Sequence, residues 1–170
     1  MDSIEEATER GFIRQEVIDL LPEYEADKQY WMLLKYMPDL RRREPVNVGA
    51  LVIEGDTVAH QFVGDDETLD SKANSERYEW MTSGKSGSKG FCAWLESYKR
   101  SIEEMDDRRL LYYYLLQNKF SNIHNLYFDL AGELLFGEKR MPEVEVGILY
   151  RELVIPKKRL TRFYTRPDFF

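Results

Sequence analysis

The chain has 170 residues, of which 43% are hydrophobic and 14% aromatic, and this composition excludes a chain that is disordered throughout. A net charge of -7 excludes a protein whose whole surface binds nucleic acid, because phosphate contacts require Lys and Arg. The single Cys92 cannot form a disulfide within the chain, and no apolar run approaches the length that spans a bilayer. Because the acidic N-terminus also lacks the features of a signal peptide, we expect a soluble cytoplasmic protein.

Residues 1–28 are acidic and predict a helix followed by a linker. Ser3 and Glu6 have the spacing of a capping box, and apolar residues between positions 12 and 21 recur on one helical face. Gly11 is a weak point inside this helix. Nine acidic residues oppose three basic ones in the segment, so it predicts a strongly negative surface.

Three extended segments follow and predict neighbouring strands. Residues 30–37 form an aromatic and aliphatic run, residues 46–53 are rich in Val, and both compositions suit buried strands. A turn at 54–56 returns residues 57–63 as the second arm of a hairpin. Three basic residues between the first two runs are candidate partner-binding residues: Arg41, Arg42 and Arg43.

Residues 83–90 have the Gly, Ser and Lys composition of a mobile loop. Beyond them, apolar residues between Phe91 and Met105 recur at helical spacing and predict an amphipathic helix. Asp106 or Asp107 caps a further helix that extends toward position 120.

The last third predicts further strands and a helix. Extended pieces at 123–128 and 133–136 flank the segment 129–132. Pro142, followed by acidic residues, favours a helix start over the strand that the alternation at 144–148 would give.

Two motifs resemble a known family. Tyr36-x-Pro38-Asp39 ends the first strand, and Arg43-Glu44-x-x-Asn47-Val48-Gly49 leads into the second. This pattern resembles the bacterial domain of unknown function 3037 over roughly Gln29 to Ile155, with Pro45 and Ala50 as departures. The genes of that family often lie beside kinases similar to the toxin of a persistence toxin-antitoxin system. The resemblance therefore implies an accessory or regulatory binding role.

Together these patterns predict a single α+β domain with a small, mostly antiparallel sheet packed against several amphipathic helices. We place an acidic helix and linker at 1–28, the core domain at 29–155 and a basic aromatic tail at 156–170. Asn47 and Gly49 are interpreted as a structural motif. Gly49 permits a bulge or a close backbone approach, and Asn47 ties down neighbouring backbone amides.

Catalytic patterns in the chain are weak. Gly84-Lys85-Ser86 lacks the earlier glycine of a phosphate-binding loop and is interpreted as a flexible loop. The least poor set for a metal-dependent nuclease is Asp56, Asp70 and Lys72.

Cys92 with His60 or His124 would form a nucleophile and base, but its apolar neighbours favour a buried thiol. We expect no metal site, cofactor or catalytic residue.

The tail interleaves cations with aromatic rings and is a candidate binding segment. Its proposed partner-binding residues are Lys157, Lys158, Arg159, Arg162, Phe163 and Tyr164. Three roles remain open, in order of preference: docking on the chain's own domain, insertion into a partner's groove, and contact with nucleic acid.

The leading hypothesis is a non-catalytic protein-protein interaction or regulatory module, an accessory component of a prokaryotic defence or toxin-antitoxin type system. Its expected partner is a kinase-like or nuclease effector, with nucleic acid as a second partner through the basic loop or tail. The alternatives are a metal-dependent nuclease and an acidic inhibitor that mimics nucleic acid.

Overall fold

A four-stranded antiparallel sheet forms the centre of the structure, a computed structural model that describes residues 4–37, 45–63, 84–120, 126–134 and 140–154. The strand order is β3-β2-β1-β4. The strands are β1 (Gln29–Tyr36), β2 (Val46–Glu54), β3 (Thr57–Phe62) and β4 (Leu126–Leu134). The three strands predicted in the first half of the chain, and the α+β class, are confirmed.

A tight turn joins β2 to β3. Glu54 pairs with Thr57, so only Gly55 and Asp56 lie between the two strands. The φ angle of Gly55 is 58°, a left-handed conformation that glycine adopts without steric cost. This glycine therefore sets the register of the hairpin, as the sequence pattern predicted.

The strand β4 differs from the prediction of two extended pieces around a turn. Trp31 pairs with Gly132 and Met32 pairs with Leu130, which leaves Ala131 as an extra residue in the ladder. The segment that was predicted to interrupt the strand is a β-bulge within it. A bulge and a turn use the same small residues, and only pairing with β1 distinguishes them.

Helices cover both faces of the sheet. They are α1 (Ile4–Glu9), α2 (Gln15–Leu20), α3 (Gly84–Glu104), α4 (Arg108–Leu116) and α5 (Pro142–Leu153), with a 3-10 helix at Gln117–Phe120. Tyr30 of β1 packs on Tyr112 of α4, with ring centroids 4.9 Å apart. Its neighbour Gln29 points to the opposite face and donates to the carbonyl oxygen of Arg140, just before α5. Hence α4 and α5 lie on opposite sides of the sheet.

The N-terminal segment forms two helices rather than the single one predicted. Gly11 has a φ angle of 75°, and its amide donates to the carbonyl of Thr8 at 3.1 Å. The amide of Phe12 donates to the carbonyl of Ala7 at 2.9 Å. These two bonds form a Schellman motif, so Gly11 ends α1. The capping residue predicted for this helix, Ser3, lies outside the described residues.

The helix α3 begins at Gly84, so the prediction of a loop is wrong for residues 84–90. The amphipathic half of α3 buries Phe91, Leu95 and Tyr98 against the sheet. Once packing has formed those turns, each added residue extends the helix without a new nucleation cost. Glycine lowers helix stability by only about 1 kcal/mol relative to Ala, which such a helix tolerates.

The start signals predicted for the two later helices agree with the structure, which selects Asp107 rather than Asp106 as the cap of α4. Asp107 is the N-cap of α4, where its Oδ1 accepts a hydrogen bond from the amide of Leu110 at 3.1 Å. The helix α5 starts at Pro142 and carries Glu143 and Glu145 in its first turn. The preference for a helix in this last segment is confirmed.

Gly49 and Asn47 lie where β1, β2 and β3 meet. Leu34 pairs with Gly49 and Lys35 with Asn47, so one residue of β2 bulges between them. A Cβ atom on Gly49 would overlap the Phe62 ring and lie 3.2 Å from the Leu34 Cβ atom. The Asn47 side chain donates to the carbonyl oxygen of Leu153 at 2.9 Å, at the end of α5, rather than contacting the neighbouring amides predicted.

Candidate functional site: an acidic N-terminal surface

Most of the binding residues predicted from sequence lie outside the described residues. They are Arg41, Arg42, Arg43, Lys157, Lys158, Arg159, Arg162, Phe163 and Tyr164. Three candidates for chemistry, Asp70, Lys72 and His124, lie outside them as well. These assignments stay predictions.

The remaining chemical candidates are described, and each has a structural neighbour. Asp56 lies in the β2-β3 turn, where its carbonyl oxygen accepts from Arg108 Nε at 3.0 Å. His60 lies on β3 with its ring stacked on Phe62, centroids 4.8 Å apart. Cys92 is half-buried on α3. Within the described ranges, no group of three or more His, Cys, Asp or Glu residues is arranged to hold a metal ion.

Among the described parts of the chain, the N-terminal segment has the largest excess of acidic over basic residues. Its exposed carboxylates, which we call the acidic surface, belong to Glu5, Glu9, Glu16, Asp19, Glu23, Glu25 and Asp27. An apolar side chain lies among them, since Leu20 at the end of α2 is 66% exposed. A single exposed leucine is common on protein surfaces, so the excess of exposed carboxylates is the feature that distinguishes this segment.

The basic residues of the same segment are already engaged within the chain. Arg10 pairs with Glu6 at 2.9 Å, and Lys28 pairs with Glu25. Arg14 donates to the carbonyl oxygen of Gln117 at 3.3 Å. Between residues 4 and 28 there are eight acidic and three basic residues, a net charge of -5. The surface is therefore strongly negative even after these contacts.

An apolar underside attaches α1 and α2 to the domain. Ala7, Ile13 and Val17 are buried, with exposed fractions of 1% or less. Phe12 stacks on Tyr114 of α4, with centroids 4.7 Å apart and planes 7° apart. The predicted apolar face is correct for Phe12, Ile13 and Val17 but wrong for Leu20, which is 66% exposed. Burial of the apolar underside holds the acidic residues on the outside.

Four tyrosines, which we call the tyrosine clasp, hold the segment after α2 on the core; they are Tyr24, Tyr30, Tyr112 and Tyr113. The Tyr112 hydroxyl donates to the Pro22 carbonyl at 2.8 Å, and the Tyr30 hydroxyl donates to the Glu23 carbonyl at 3.0 Å. The Tyr113 hydroxyl accepts from the Tyr24 amide at 3.1 Å. The supposed linker is thus hydrogen-bonded to both the sheet and α4.

The fourth hydroxyl ties this segment to the hairpin. Tyr24 Oη donates to the carbonyl oxygen of Gly55 at 2.8 Å. Burial, with a smaller contribution from neighbouring Tyr30, raises the pKa of Tyr24 to about 12. The hydroxyl therefore stays protonated and able to donate at neutral pH.

Sequence reasoning identified the acidity of this segment but missed its attachment. The available signal is the run of tyrosines at 112–114, within the helix predicted to extend toward position 120. A tyrosine combines an apolar ring with a hydroxyl that needs a partner when buried. Its partners here are backbone groups about 90 residues away in the chain, which local patterns do not reveal.

Comparisons with protein-family models, with curated proteins and with solved structures found no match. The resemblance to domain of unknown function 3037 therefore stays an expectation based on the two motifs. Among the described residues, none of the helices has both the length and the apolar character needed to cross a membrane.

Proposed function

We propose that this chain is a non-catalytic protein-protein interaction module that binds a partner with a basic surface. The observation that carries the proposal is the acidic surface itself: one segment of the chain presents seven exposed carboxylates, and Leu20, which lies between Asp19 and Glu23 in sequence, is 66% exposed. Charge of one sign at this density attracts an oppositely charged protein and orients it during encounter. Burial of the exposed Leu20 side chain beneath a partner adds a hydrophobic contribution to affinity after the encounter.

The attachment of the segment supports the same function. If the acidic residues were on a mobile tail, binding would be weaker, because the tail would lose conformational entropy when it became ordered on the partner. The tyrosine clasp and the buried side chains of α1 and α2 already order the acidic surface before a partner arrives. Preorganisation of this kind favours a specific partner over nonspecific attraction.

The biological setting of the proposal comes from the family resemblance alone. By that resemblance, the module is an accessory component of a prokaryotic defence or toxin-antitoxin type system. A kinase-like or nuclease effector is then the partner that we propose. Effectors that act on nucleic acid carry basic surfaces, which matches the charge of the acidic surface.

The experiment neutralises part of the acidic surface while retaining side-chain size. The variant carries Glu16→Gln, Asp19→Asn and Glu23→Gln, and the partner is captured from a native-host lysate and then purified. We expect binding of the purified partner to weaken about tenfold, since each exposed charge contact contributes roughly 0.5 kcal/mol. Wild-type affinity should also fall as ionic strength rises from about 0.01 to 0.15 M.

A matched control makes the same charge change elsewhere: Glu103→Gln, Glu104→Gln and Glu152→Gln remove three exposed carboxylates on α3 and α5. This control should bind like the wild type. Equal binding by the two triple variants, or capture of no partner by the wild-type chain, would contradict the proposal.

The same surface also favours a second function, inhibition by mimicry of nucleic acid, because a row of exposed carboxylates resembles a phosphate backbone in charge. The two functions differ in what displaces the partner. Competition by DNA for the captured partner would indicate mimicry, whereas insensitivity to DNA would indicate a separate docking surface.

A further inference from the structure

The face of the sheet that points away from α4 carries a second group of side chains, which the proposed function does not use. Trp31 and Lys35 lie on β1, Tyr127 and Asp129 on β4, and Lys119 on the 3-10 helix; we call this group the lysine-aromatic strip. Lys35 pairs with Tyr127 in the ladder, and residues 31 and 35 share a face because side chains alternate. The helix α5 contacts β2 and β3, on the other half of this face.

The Trp31 ring is held in one orientation. Its Nε1-H donates to Gln29 Oε1 at 2.9 Å. Gln29 is fully buried, and its own amide donates to Glu54 Oε1 at 3.0 Å and to the Arg140 carbonyl at 2.7 Å. The indole is therefore anchored through a buried amide rather than being free to rotate.

A glycine lies beneath the Trp31 ring. The six-membered ring passes 3.5 Å from the position that a Cβ atom of Gly132 would occupy. Because Gly132 has no side chain, the ring lies against the backbone of β4 while Trp31 stays partly exposed. A partly exposed, immobilised indole is suited to stacking with a flat ligand.

Two ammonium groups lie at the other end of the strip. Lys35 Nζ is 3.1 Å from Asp129 Oδ2, and Lys119 Nζ is 2.7 Å from Asp129 Oδ1. One carboxylate thus holds two cations side by side and leaves a local charge of +1. Burial raises the pKa of Asp129, but hydrogen bonds from Lys119 and Lys35 outweigh that effect and lower it below the ordinary value. Asp129 therefore stays ionised and keeps both lysines in place.

We propose that the lysine-aromatic strip binds a short single-stranded nucleic acid segment. A base stacks on Trp31, and Lys35 and Lys119 contact the phosphate backbone. Positions 31 and 35 are roughly 13 Å apart along β1, a distance that a few nucleotides span. A duplex does not fit, because its bases are already stacked on each other and cannot lie on the indole. Because only Lys35 and Lys119 contact phosphate, the strip binds weakly and its affinity falls only modestly with salt.

Fluorescence anisotropy with labelled oligothymidylate and oligouridylate of about 12 nucleotides tests the proposal, with a duplex of equal length for comparison. Both single strands should bind at low ionic strength, and the duplex should not. Trp31→Leu and Lys119→Ala should each weaken binding about tenfold. The matched controls are Trp94→Leu, a 40% exposed indole on α3, and Lys28→Ala, and both should bind like the wild type.

A second measurement reports on Trp31 directly, in case Trp31→Leu fails to fold. Trp80→Phe combined with Trp94→Phe leaves Trp31 as the only indole in the chain. Stacking of a base on Trp31 should quench its fluorescence on titration with either oligonucleotide. Unchanged Trp31 fluorescence, or equal affinity for single strand and duplex, would overturn the proposal. Because the acidic surface shares no residue with the strip, this outcome leaves the proposed partner binding unaffected.

Discussion

Gly49 shows how one missing side chain determines local packing. Its neighbour across the ladder is Phe62, whose ring occupies the volume that a Cβ atom would fill, and the Leu34 Cβ atom is 3.2 Å from the same position. Phe62 is itself 1% exposed and packs on Phe128 of β4, with ring centroids 6.1 Å apart. The ring is therefore held in place from its other side and has little room to move.

Replacing Gly49 with Ala should lower the free energy of unfolding by about 1–3 kcal/mol, because the added methyl group overpacks a filled site. Gly147→Ala is the matched control, since a Cβ atom on Gly147 in α5 meets no atom within 4 Å. That change should instead stabilise the protein by about 1 kcal/mol through helix propensity. Urea unfolding of both variants measures the two effects, and a Gly49→Ala protein as stable as the wild type would refute the packing explanation.

The sequence around Gly49 predicted the local backbone geometry, because a glycine in a strand constrains the backbone directly. A glycine at a strand start predicted either a bulge or a close approach, and both features occur there: β2 bulges next to Gly49, and Phe62 lies against it. The identity of Phe62 as the neighbour was not predictable, because it depends on the register between β2 and β3. For the same reason, the contact of Asn47 with the end of α5 required the tertiary structure.

Among the elements, the helices illustrate how caps define boundaries. Asp107 accepts a hydrogen bond from the amide of Leu110, one of the donors at the start of α4 that have no partner within the helix. Gly11 ends α1 through a Schellman motif. Both ends carried local signals, although Gly11 was first interpreted as a weak point within one longer helix.

Asp107→Ala should destabilise the protein by about 1 kcal/mol, since the Leu110 amide loses its acceptor in a partly buried position. Asp106→Ala is the matched control, because Asp106 is exposed and is not the N-cap. Its effect should stay within about 0.5 kcal/mol. Thermal or urea unfolding of the two variants provides the comparison. Equal losses in both would indicate a general charge effect rather than a cap.

The predicted boundaries of helices and strands were wrong where tertiary contacts override local composition. The start of α3 at Gly84 lies in a segment rich in Gly and Ser, and the bulge of β4 lies in a segment typical of turns. In each case a neighbouring apolar stretch packs on the core, and the helix or strand that it stabilises continues into the segment of low intrinsic propensity. Composition alone measures the local preference and not the packing that opposes it.

At the scale of the whole molecule, buried tyrosines connect distant parts of the chain. The tyrosine clasp joins the N-terminal segment to β1, α4 and the hairpin. On α3, the Tyr98 hydroxyl donates to the Leu126 carbonyl at 2.9 Å and accepts from the Asn118 side chain at 2.7 Å. These hydroxyls serve as donors only while they are protonated.

The pKa of Tyr98 is raised by burial from 10.0 to about 12, and that of Tyr24 is raised to about 12 in the same direction. A raised pKa means that the folded protein binds the proton more tightly than the unfolded chain does. The resulting stability is complete below pH 10 and is lost as the pH rises toward 12. We therefore expect cooperative unfolding at alkaline pH.

Tyr98→Phe tests the assignment, because this variant cannot ionise at that position. Between about pH 10 and pH 12, its free energy of unfolding should decline less steeply than that of the wild type, by up to roughly 1.4 kcal/mol per pH unit. Urea unfolding across this range provides the slopes. Identical slopes for the two proteins would show that other groups cause the alkaline loss.

The two proposed binding surfaces share no residue, although Lys119 of the strip lies in the 3-10 helix whose Gln117 is hydrogen-bonded to Phe12 and Arg14 of the N-terminal segment. The acidic surface is attached on the side of α4, whereas the lysine-aromatic strip lies on the face that α5 partly covers. The net charge of the chain, -7, does not reveal that the acidic surface and the two lysines of the strip are separate groups of residues. Because the two surfaces share no residue, the variants that test one leave the residues of the other unchanged, and the two proposals can be tested independently.

What the sequence by itself determined was the α+β class, the first three strands, the amphipathic part of α3, a cap at Asp106 or Asp107 and the acidity of the N-terminal segment. These features depend on interactions between near neighbours, namely periodicity, turn residues and local charge. Only the tertiary structure decided the attachment of that segment by Tyr112 and Tyr113, the bulge in β4, and the grouping of Trp31 with Lys119. Each of these depends on pairing between residues far apart in the chain, which follows from how the strands align and pack rather than from any local pattern.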